Sequence, residues 1–504
     1  MEHLLLGLQT AVHPENVLAV FAGVFVGTAI GVIPGIGPLA AIALLMPITF
    51  SMDPTTGIVL LAGVYYGAEY GGSKSSILLN LPGTPAAAIT CLDGYPMAQK
   101  GRASRALFLS TFASFVGGVI GMLVVAVLTP AIVVVARAFG PAEYFALIVL
   151  CFVAVSTIGG DNPKKNFVMV SLGALLATVG LDIYDGAERF TFGTGHLLDG
   201  IHLVPVAMGL FGFSEILLAI RRNERQRIKH SIDFKSMLPT LSEWKRSAWP
   251  MVRGATSGCF FGPLPGTGPS MATILGYAVE KKLCKHPEEF GHGAVEGLTS
   301  PESANNAAAQ TAFVPTLSLG IPGTPTMAIM IGALMIHGIV PGPLLMSQEP
   351  VLFWGLVASF GIGNIAALII NVPLIGLWVS FLNVSYRLLY PAVIVLICVG
   401  CYSLQSSVAD VIIMLVVGIV SYGLRSHGFT PAPVLIGFVL SPMLEENLRR
   451  AMIMGQGDVT FLFGSAISSV THILTIALLA SMLFRRPLAR FFAKRFTANG
   501  AGAD

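Results

Sequence analysis

Long apolar stretches fill this chain, and what interrupts them is mostly glycine and proline. The first stretch runs from about Asn16 to Ile33 and meets Pro34-Gly35-Ile36-Gly37-Pro38. The next, Leu39 to Phe50, is too short for a bilayer core that takes about 20 helical residues, so it reads as half of a re-entrant pair. Gly57 to Gly72 leads through Ser73-Lys74-Ser75-Ser76 into Asn80-Leu81-Pro82-Gly83-Thr84-Pro85. Two prolines around a glycine remove two amide donors, permit an unusual φ and leave a fresh helix N-terminus after the break. Further spans are predicted at 106–135, 141–160, 166–182 and 200–220, before a basic loop at 221–248 divides the chain.

The second part replays the first. Gly31-Val-Ile-Pro34-Gly-Ile-Gly-Pro38 returns as Gly262-Pro-Leu-Pro265-Gly-Thr-Gly-Pro269, and Pro82-Gly-Thr-Pro85 returns as Pro322-Gly-Thr-Pro325. Pro205-Val-Ala-Met-Gly209 likewise matches Pro433-Val-Leu-Ile-Gly437. The near-constant spacing argues duplication rather than chance recurrence of glycine and proline. The expected organisation is a first transmembrane repeat over 1–220, a basic cytoplasmic linker over 221–249, a second repeat over 250–446, and an extra C-terminal span with a basic tail over 447–504.

Composition fixes the class. Of 504 residues 54% are hydrophobic and 11% charged, against about a quarter charged in soluble proteins. This is an all-α polytopic membrane protein, with about 10–12 transmembrane segments plus the extra C-terminal span. The net charge of +3 is small, so its placement matters more. Basic residues gather between Arg221 and Arg246 and between Arg485 and Arg495, which reads as cytoplasmic; these runs are juxtamembrane and lack interleaved aromatics, so nucleic acid is not an expected partner.

Equivalent loops carry opposite charge. Lys100, Arg102 and Arg105 follow the first Pro-Gly-Thr-Pro, whereas 341–350 has no Lys or Arg; the equivalents of Lys281, Lys282 and Lys285, near 49–56, are also free of Lys and Arg. That bias is what two inverted repeats with re-entrant or broken helices produce. Residues 1–15 carry no Lys or Arg, which fits an N-terminus outside, and a span at about 459–484 returns the C-terminus to the cytoplasm. No basic region precedes the first apolar run, so no cleaved signal peptide is expected.

The breaks are also where chemistry is expected. Helix starts offer amides and a positive dipole end to anions such as carboxylates. Gly35, Ile36, Gly37, Gly83 and Thr84, with Gly266, Thr267, Gly268, Gly323 and Thr324, are therefore candidate substrate-binding residues. Close helix packing is the competing account of the glycines and prolines. Ser73, Lys74 and Asn80 are polar within apolar sequence and join the candidate substrate site. Lys74 is read either as a partner of a substrate carboxylate or as an ion-pair partner of Glu69. Ser303, Asn305 and Asn306 are candidate ligands of Na⁺, with helix-helix hydrogen bonding as the alternative. Asp182, Asp185, Glu188 and His196 read as a solvated loop, and Cys398 and Cys401 as helix packing. No HExxH, GxSxG or Walker A pattern occurs, so neither an enzyme nor an ATP-driven pump is expected, and no cofactor beyond a coupled Na⁺.

Gly31 to Pro38, Tyr66-Gly67-Ala68-Glu69-Tyr70-Gly71-Gly72-Ser73, Leu79-Asn80-Leu81-Pro82-Gly83, Pro301-Glu302-Ser303-Ala304-Asn305-Asn306-Ala307 and Pro322 to Pro325 together resemble the large membrane subunit of the tripartite tricarboxylate transporters, the TctA family. The resemblance covers nearly the whole chain. It implies secondary active uptake of di- or tricarboxylates, or related organic acids, across a bacterial inner membrane. It also implies a Na⁺ or H⁺ gradient as driving force, with a TctB-like small membrane subunit and a TctC-like periplasmic substrate-binding protein as partners. Glu69 stands where the family pattern leads one to expect an uncharged residue. The rival functions are an organic-anion channel and an integral membrane enzyme.

Overall fold

A computed structural model describes residues 2–33, 37–158, 162–182, 184–222, 236–266, 268–382 and 386–480. Before the first Pro-Gly break lie α1 (Glu2–Ala11) and α2 (Pro14–Gly31); α3 (Pro38–Thr49), α4 (Pro54–Leu79), α5 (Thr90–Met97) and α6 (Ala103–Ala136) follow. Next come α7 (Pro141–Ile158), α8 (Pro163–Leu176), α9 (Leu203–Ala207) and α10 (Ser214–Arg222). The second part contains α11 (Leu241–Phe261), α12 (Gly268–Leu283), α13 (Val295–Thr311), α14 (Phe313–Leu319), α15 (Pro325–Ile336) and α16 (Leu345–Gln348). It continues through α17 (Pro350–Asn371), α18 (Ile375–Phe381), α19 (Tyr386–Gln405), α20 (Val408–Ser426), α21 (Ala432–Met454) and α22 (Ala466–Ala480). Two residue pairs, Gly180 with Arg189 and Leu181 with Glu188, form the one sheet among the described residues.

The all-α polytopic membrane class predicted from composition holds. Among the described residues five runs are long and apolar enough to cross a bilayer: α2, the α5–α6 run, the α9–α10 run, α17 and α20. By contrast α3 and α15 have 12 residues each. At 1.5 Å per residue they reach about 18 Å and cannot cross a core of about 30 Å. They are half-length helices, as the short apolar stretch at 39–50 suggested.

The tightest packing is glycine against carbonyl. On α2, Gly23, Gly27 and Gly31 lie one turn apart against the carbonyls of Leu60, Val64 and Ala68 on α4, where a Cβ would sit 2.2–2.3 Å from the oxygen. In the other direction Gly63, Gly67 and Gly71 of α4 lie against the carbonyls of Val20, Val24 and Thr28. On α11, Gly254, Gly258 and Gly262 meet the carbonyls of Ser300, Ala304 and Ala308 on α13. Each of these three glycines is 231 positions from its α2 counterpart, and each carbonyl 240 positions from its α4 counterpart. Helices in lipid gain little from hydrophobic burial against one another, so backbones brought this close supply the van der Waals contact that holds them.

The two parts of the chain interlock. Helix α6 lies along α13, with Gly117 against the Ser303 carbonyl and Gly121 beside that of Ala307. Helix α17 packs on α1, α2 and α4, and the Phe360 ring meets Tyr66 edge-on at 5.4 Å. Gly173 of α8 touches the Val434 carbonyl of α21 while Gly437 touches that of Val170; Gly209 touches the Met414 carbonyl of α20. Asp93 of α5 is fully buried, and its Oδ1 accepts hydrogen bonds from the amides of Gly291 (2.9 Å), Gly293 (2.7 Å) and Ala294 (2.8 Å). It thereby anchors the turn that leads into α13.

Two separate groups of polar contacts tie distant parts of the chain together. In one, Arg102 and Arg105 meet Glu243, Lys100 donates to the His292 carbonyl, and Arg246 pairs with Glu296. In the other, Arg449 holds Asp182, its Nη1 2.9 Å from Oδ1, and Arg189 reaches Glu445 at 2.9 Å. The acidic loop residue Asp182 is thus committed to an ion pair.

Replacing Asp93 by Ala leaves three amides, the buried one of Ala294 among them, without their acceptor and removes about 1–3 kcal/mol; thermal melting of the purified protein measures the loss. Hydrogen bonds from Arg449, foremost, hold the Asp182 carboxyl at about 2, below its unfolded value of about 3.9. The group's stabilisation is therefore complete above pH ~4 and lost as pH falls towards 2. The difference in melting temperature between wild type and Arg449→Ala is expected to be full at neutral pH and to close across that window.

Candidate functional site

Helices α4 and α13 are buried along nearly their whole lengths, yet both carry ionisable and amide side chains. Their polar groups meet each other across the two parts of the chain. Glu302 accepts hydrogen bonds from Ser73 (2.8 Å) on α4, Ser114 (3.0 Å) on α6 and Thr90 on α5. Glu69 accepts on Oε2 from Asn305 Nδ2 (3.1 Å) and from Thr84 Oγ1 (3.3 Å). A buried carboxylate is tolerated only with donors around it, and here the donors come from five different segments.

The breaks frame this cluster. Helix α4 ends on Asn80 with φ 57° and α14 on Gly320 with φ 69°, so both copies use a left-handed residue at the same point. Thr84 Oγ1 accepts from the Ala87 amide at 3.2 Å, and Thr324 Oγ1 accepts from the Met327 amide at 3.2 Å. Both threonines therefore cap the helical turn that follows the break. The Gly266 amide donates to the Gly323 carbonyl at 3.1 Å, joining the Pro-Gly-x-Gly-Pro and Pro-Gly-Thr-Pro segments of the second part. Gly266 and Gly268 have φ of 79° and 52°, a region that favours glycine.

The candidate residues fall into distinct environments. Ser73, Thr84 and Asn305 join the carboxylate cluster. Lys74 is buried and donates to Asn371 Oδ1 and to the Tyr70 carbonyl (3.0 Å), so its ammonium is not held by Glu69. Ser303 donates to the Met251 carbonyl at 2.7 Å, a bond between α13 and α11, and Asn306 Nδ2 donates to the Glu302 carbonyl at 3.2 Å. Asn80 is exposed. Gly37 has open space around it, and Gly35, Ile36 and Thr267 lie outside the described residues.

The two break glycines differ. A Cβ on Gly83 would lie 2.5 Å from Gly72 Cα and 2.7 Å from the Gly31 carbonyl oxygen, whereas one on Gly323 would meet nothing nearer than 3.4 Å. Gly83 is thus required by packing, whereas Gly323 leaves room for a Cβ at ordinary van der Waals contact. Sequence reading passed over Thr90, Ser114, Asn371 and Asp93. Each is a small polar residue inside an otherwise apolar run, a signal that gains meaning only when its partner, 188–297 residues away, is known.

The family model of the tripartite tricarboxylate transporter TctA family matches residues 17–436. This chain belongs to the TctA family. Its members are the membrane components of tripartite tricarboxylate transporters, so this TctA protein is a transport component. It is 46% identical over 494 residues to an uncharacterized 52.8 kDa protein in the TAR-I ttuC' 3'region of Agrobacterium vitis, covering 96% of this chain and 98% of the relative. An uncharacterized protein in the TAR-II ttuC' 3'region of the same organism is 51% identical over 212 residues, 42% of this chain and 88% of that one. No solved structure matches.

Gly83→Ala is expected to destabilise this TctA protein by about 1–3 kcal/mol through overpacking, while Gly323→Ala stays close to wild type. Melting temperatures of the two variants, measured side by side, check the asymmetry.

Proposed function

We propose that this protein is the large permease subunit of a secondary importer for di- or tricarboxylates or related organic acids. A TctC-like periplasmic binding protein delivers the substrate, a TctB-like small membrane subunit completes the complex, and a Na⁺ or H⁺ gradient drives uptake. The protein sits in a bacterial inner membrane with its N-terminus periplasmic and its C-terminus cytoplasmic. Its two transmembrane repeats, 1–220 and 250–446, are inverted relative to each other, joined by the linker 221–249 and followed by the extra span and tail of 447–504.

The observation that carries this reading is the set of glycine-rich breaks from which helices start. Short helices begin at Pro38, Gly268 and Pro325, each directly after a glycine-rich interruption, inside a body of membrane helices. Irregular backbone at such depth is tolerated where protein buries it or where it lines a cavity, and half-helix N-termini suit anionic substrates. Gly37, Gly268, Gly323 and their neighbours Gly35, Ile36, Gly266 and Thr267 form the substrate cradle. Thr84, Thr324 and Gly83 shape it through caps and packing. Lys74, Ser73 and Asn80 set the local charge and polarity.

The movement that fits this packing is elevator-like. Helices α2–α5 and α11–α15, clamped by glycine-carbonyl contacts and carrying the breaks, slide as one unit. Helices α7–α10 and α19–α21, which pack mainly on one another, serve as the frame. An organic-anion channel would use the same amides without accumulating substrate, and a membrane enzyme would alter the substrate chemically.

The test is uptake of labelled carboxylates by proteoliposomes holding the three-component complex. Accumulation of unchanged substrate above the external concentration, abolished when the Na⁺ and proton gradients are collapsed, is expected. Flux that only equilibrates would favour the channel. Gly323→Leu, which places a bulky side chain at the second break, is expected to reduce uptake at least tenfold while the protein still reaches the membrane.

A further inference from the structure

Two buried carboxylates, Glu69 and Glu302, form the cluster, and one buried ammonium, Lys74, lies within electrostatic reach of Glu302. When all three are ionised they leave one negative charge uncancelled. Lys74 is spent on an amide oxygen and a backbone carbonyl, neither of them charged. An uncompensated charge at this depth costs several kcal/mol, so the cluster is built for a positive visitor.

The two carboxylates are not equivalent. Glu302 has donors on both oxygens: Thr90 on Oε1, and Ser73 and Ser114 on Oε2. Such a shell solvates a carboxylate in place. The two donors found on Glu69, from Asn305 and Thr84, both fall on Oε2.

A second observation points to the same place. Asn305 is 1% exposed and its Nδ2 is fixed on Glu69, yet its Oδ1 is buried without any hydrogen-bond partner. An orphaned amide oxygen beside a carboxylate is a poor helix contact and a good half of a cation site, because small hard cations and protons both seek oxygen.

We propose that the Glu69 carboxylate and Asn305 Oδ1 together hold one positive charge, carried by Na⁺ or by a proton, and that this is the coupling site of the transporter. Na⁺ would be ligated by both oxygens. A proton would sit on Glu69 and be donated to Asn305 Oδ1. Either way the cluster becomes neutral, which is the condition for moving it through the membrane core. Thr84 links the site to the substrate break, since its hydroxyl donates to Glu69 and accepts from the Ala87 amide just after Pro-Gly-Thr-Pro. The titratable groups near the cluster are Glu302 on α13, Tyr65, Tyr70 and Lys74 on α4, and Cys91 on α5.

The inference rests on the gradient-driven reading above, but its test is direct binding and needs neither partner subunits nor substrate. Purified full-length protein is melted in NaCl or choline chloride at constant ionic strength and at pH values from 6 to 9. For a Na⁺ site, the melting temperature rises with Na⁺ at fixed pH; for a proton site, it rises in choline as pH falls. Glu69→Gln is expected to abolish whichever response wild type shows, and Asn305→Ala to raise the half-effective concentration at least tenfold. If Glu69→Gln does not fold, Glu69→Asp, which withdraws the carboxylate by one methylene, is expected to weaken the response at least tenfold. An unchanged response in the Glu69 and Asn305 variants overturns the proposal, as does a wild type that answers to neither Na⁺ nor pH. Failure of carboxylate uptake with an intact cation response would instead sink the transport reading alone.

Discussion

Everything in this molecule depends on how closely two pairs of helices approach. Where α2 meets α4 and α11 meets α13, glycine faces a carbonyl oxygen at a distance that excludes any side chain. In water such contacts would add little to a hydrophobic core. In a bilayer, where lipid is as apolar as leucine, close van der Waals approach and a few polar bonds replace that driving force. The same proximity leaves α4 and α13 enclosed by protein, so that their polar side chains are buried along nearly the whole of each helix. Ser303 shows both effects at once, being small enough for the crossing and polar enough to grip the Met251 carbonyl.

Enclosure then determines the electrostatics. Each carboxylate belongs to one part of the chain and takes donors from the other: Glu302 is held by Ser73, Thr90 and Ser114, and Glu69 by Asn305. Neither part could keep its charge in lipid alone. The interlocking of α6 with α13 and of α17 with α4 follows the same logic, because the polar seam is buried only when both covers are in place.

Much of this was legible in the chain, for physical reasons. Length and charge poverty reveal membrane helices because a bilayer sets a minimum apolar run, and Pro-Gly-Thr-Pro reveals a break because proline removes donors wherever it occurs. The left-handed turn at Asn80 and Gly320 and the caps at Thr84 and Thr324 lie at the breaks for the same local reason. Side-chain partners were not legible in this way. For Lys74 the sequence offers Glu69, five residues away, whereas its ammonium meets Asn371, 297 residues distant. Gly83 and Gly323 look identical in sequence and differ only in what the fold places opposite them. Local rules reach as far as one turn of helix; the site is made of contacts between turns.

Asp93 carries a consequence for how the protein is made. Its carboxylate enters the membrane about 200 residues before the amides of Gly291, Gly293 and Ala294 that it will accept. In order of synthesis the acceptor therefore precedes its donors, which lie in the turn leading into α13. A gene split at the central basic loop would have to restore that meeting by diffusion in the plane of the membrane.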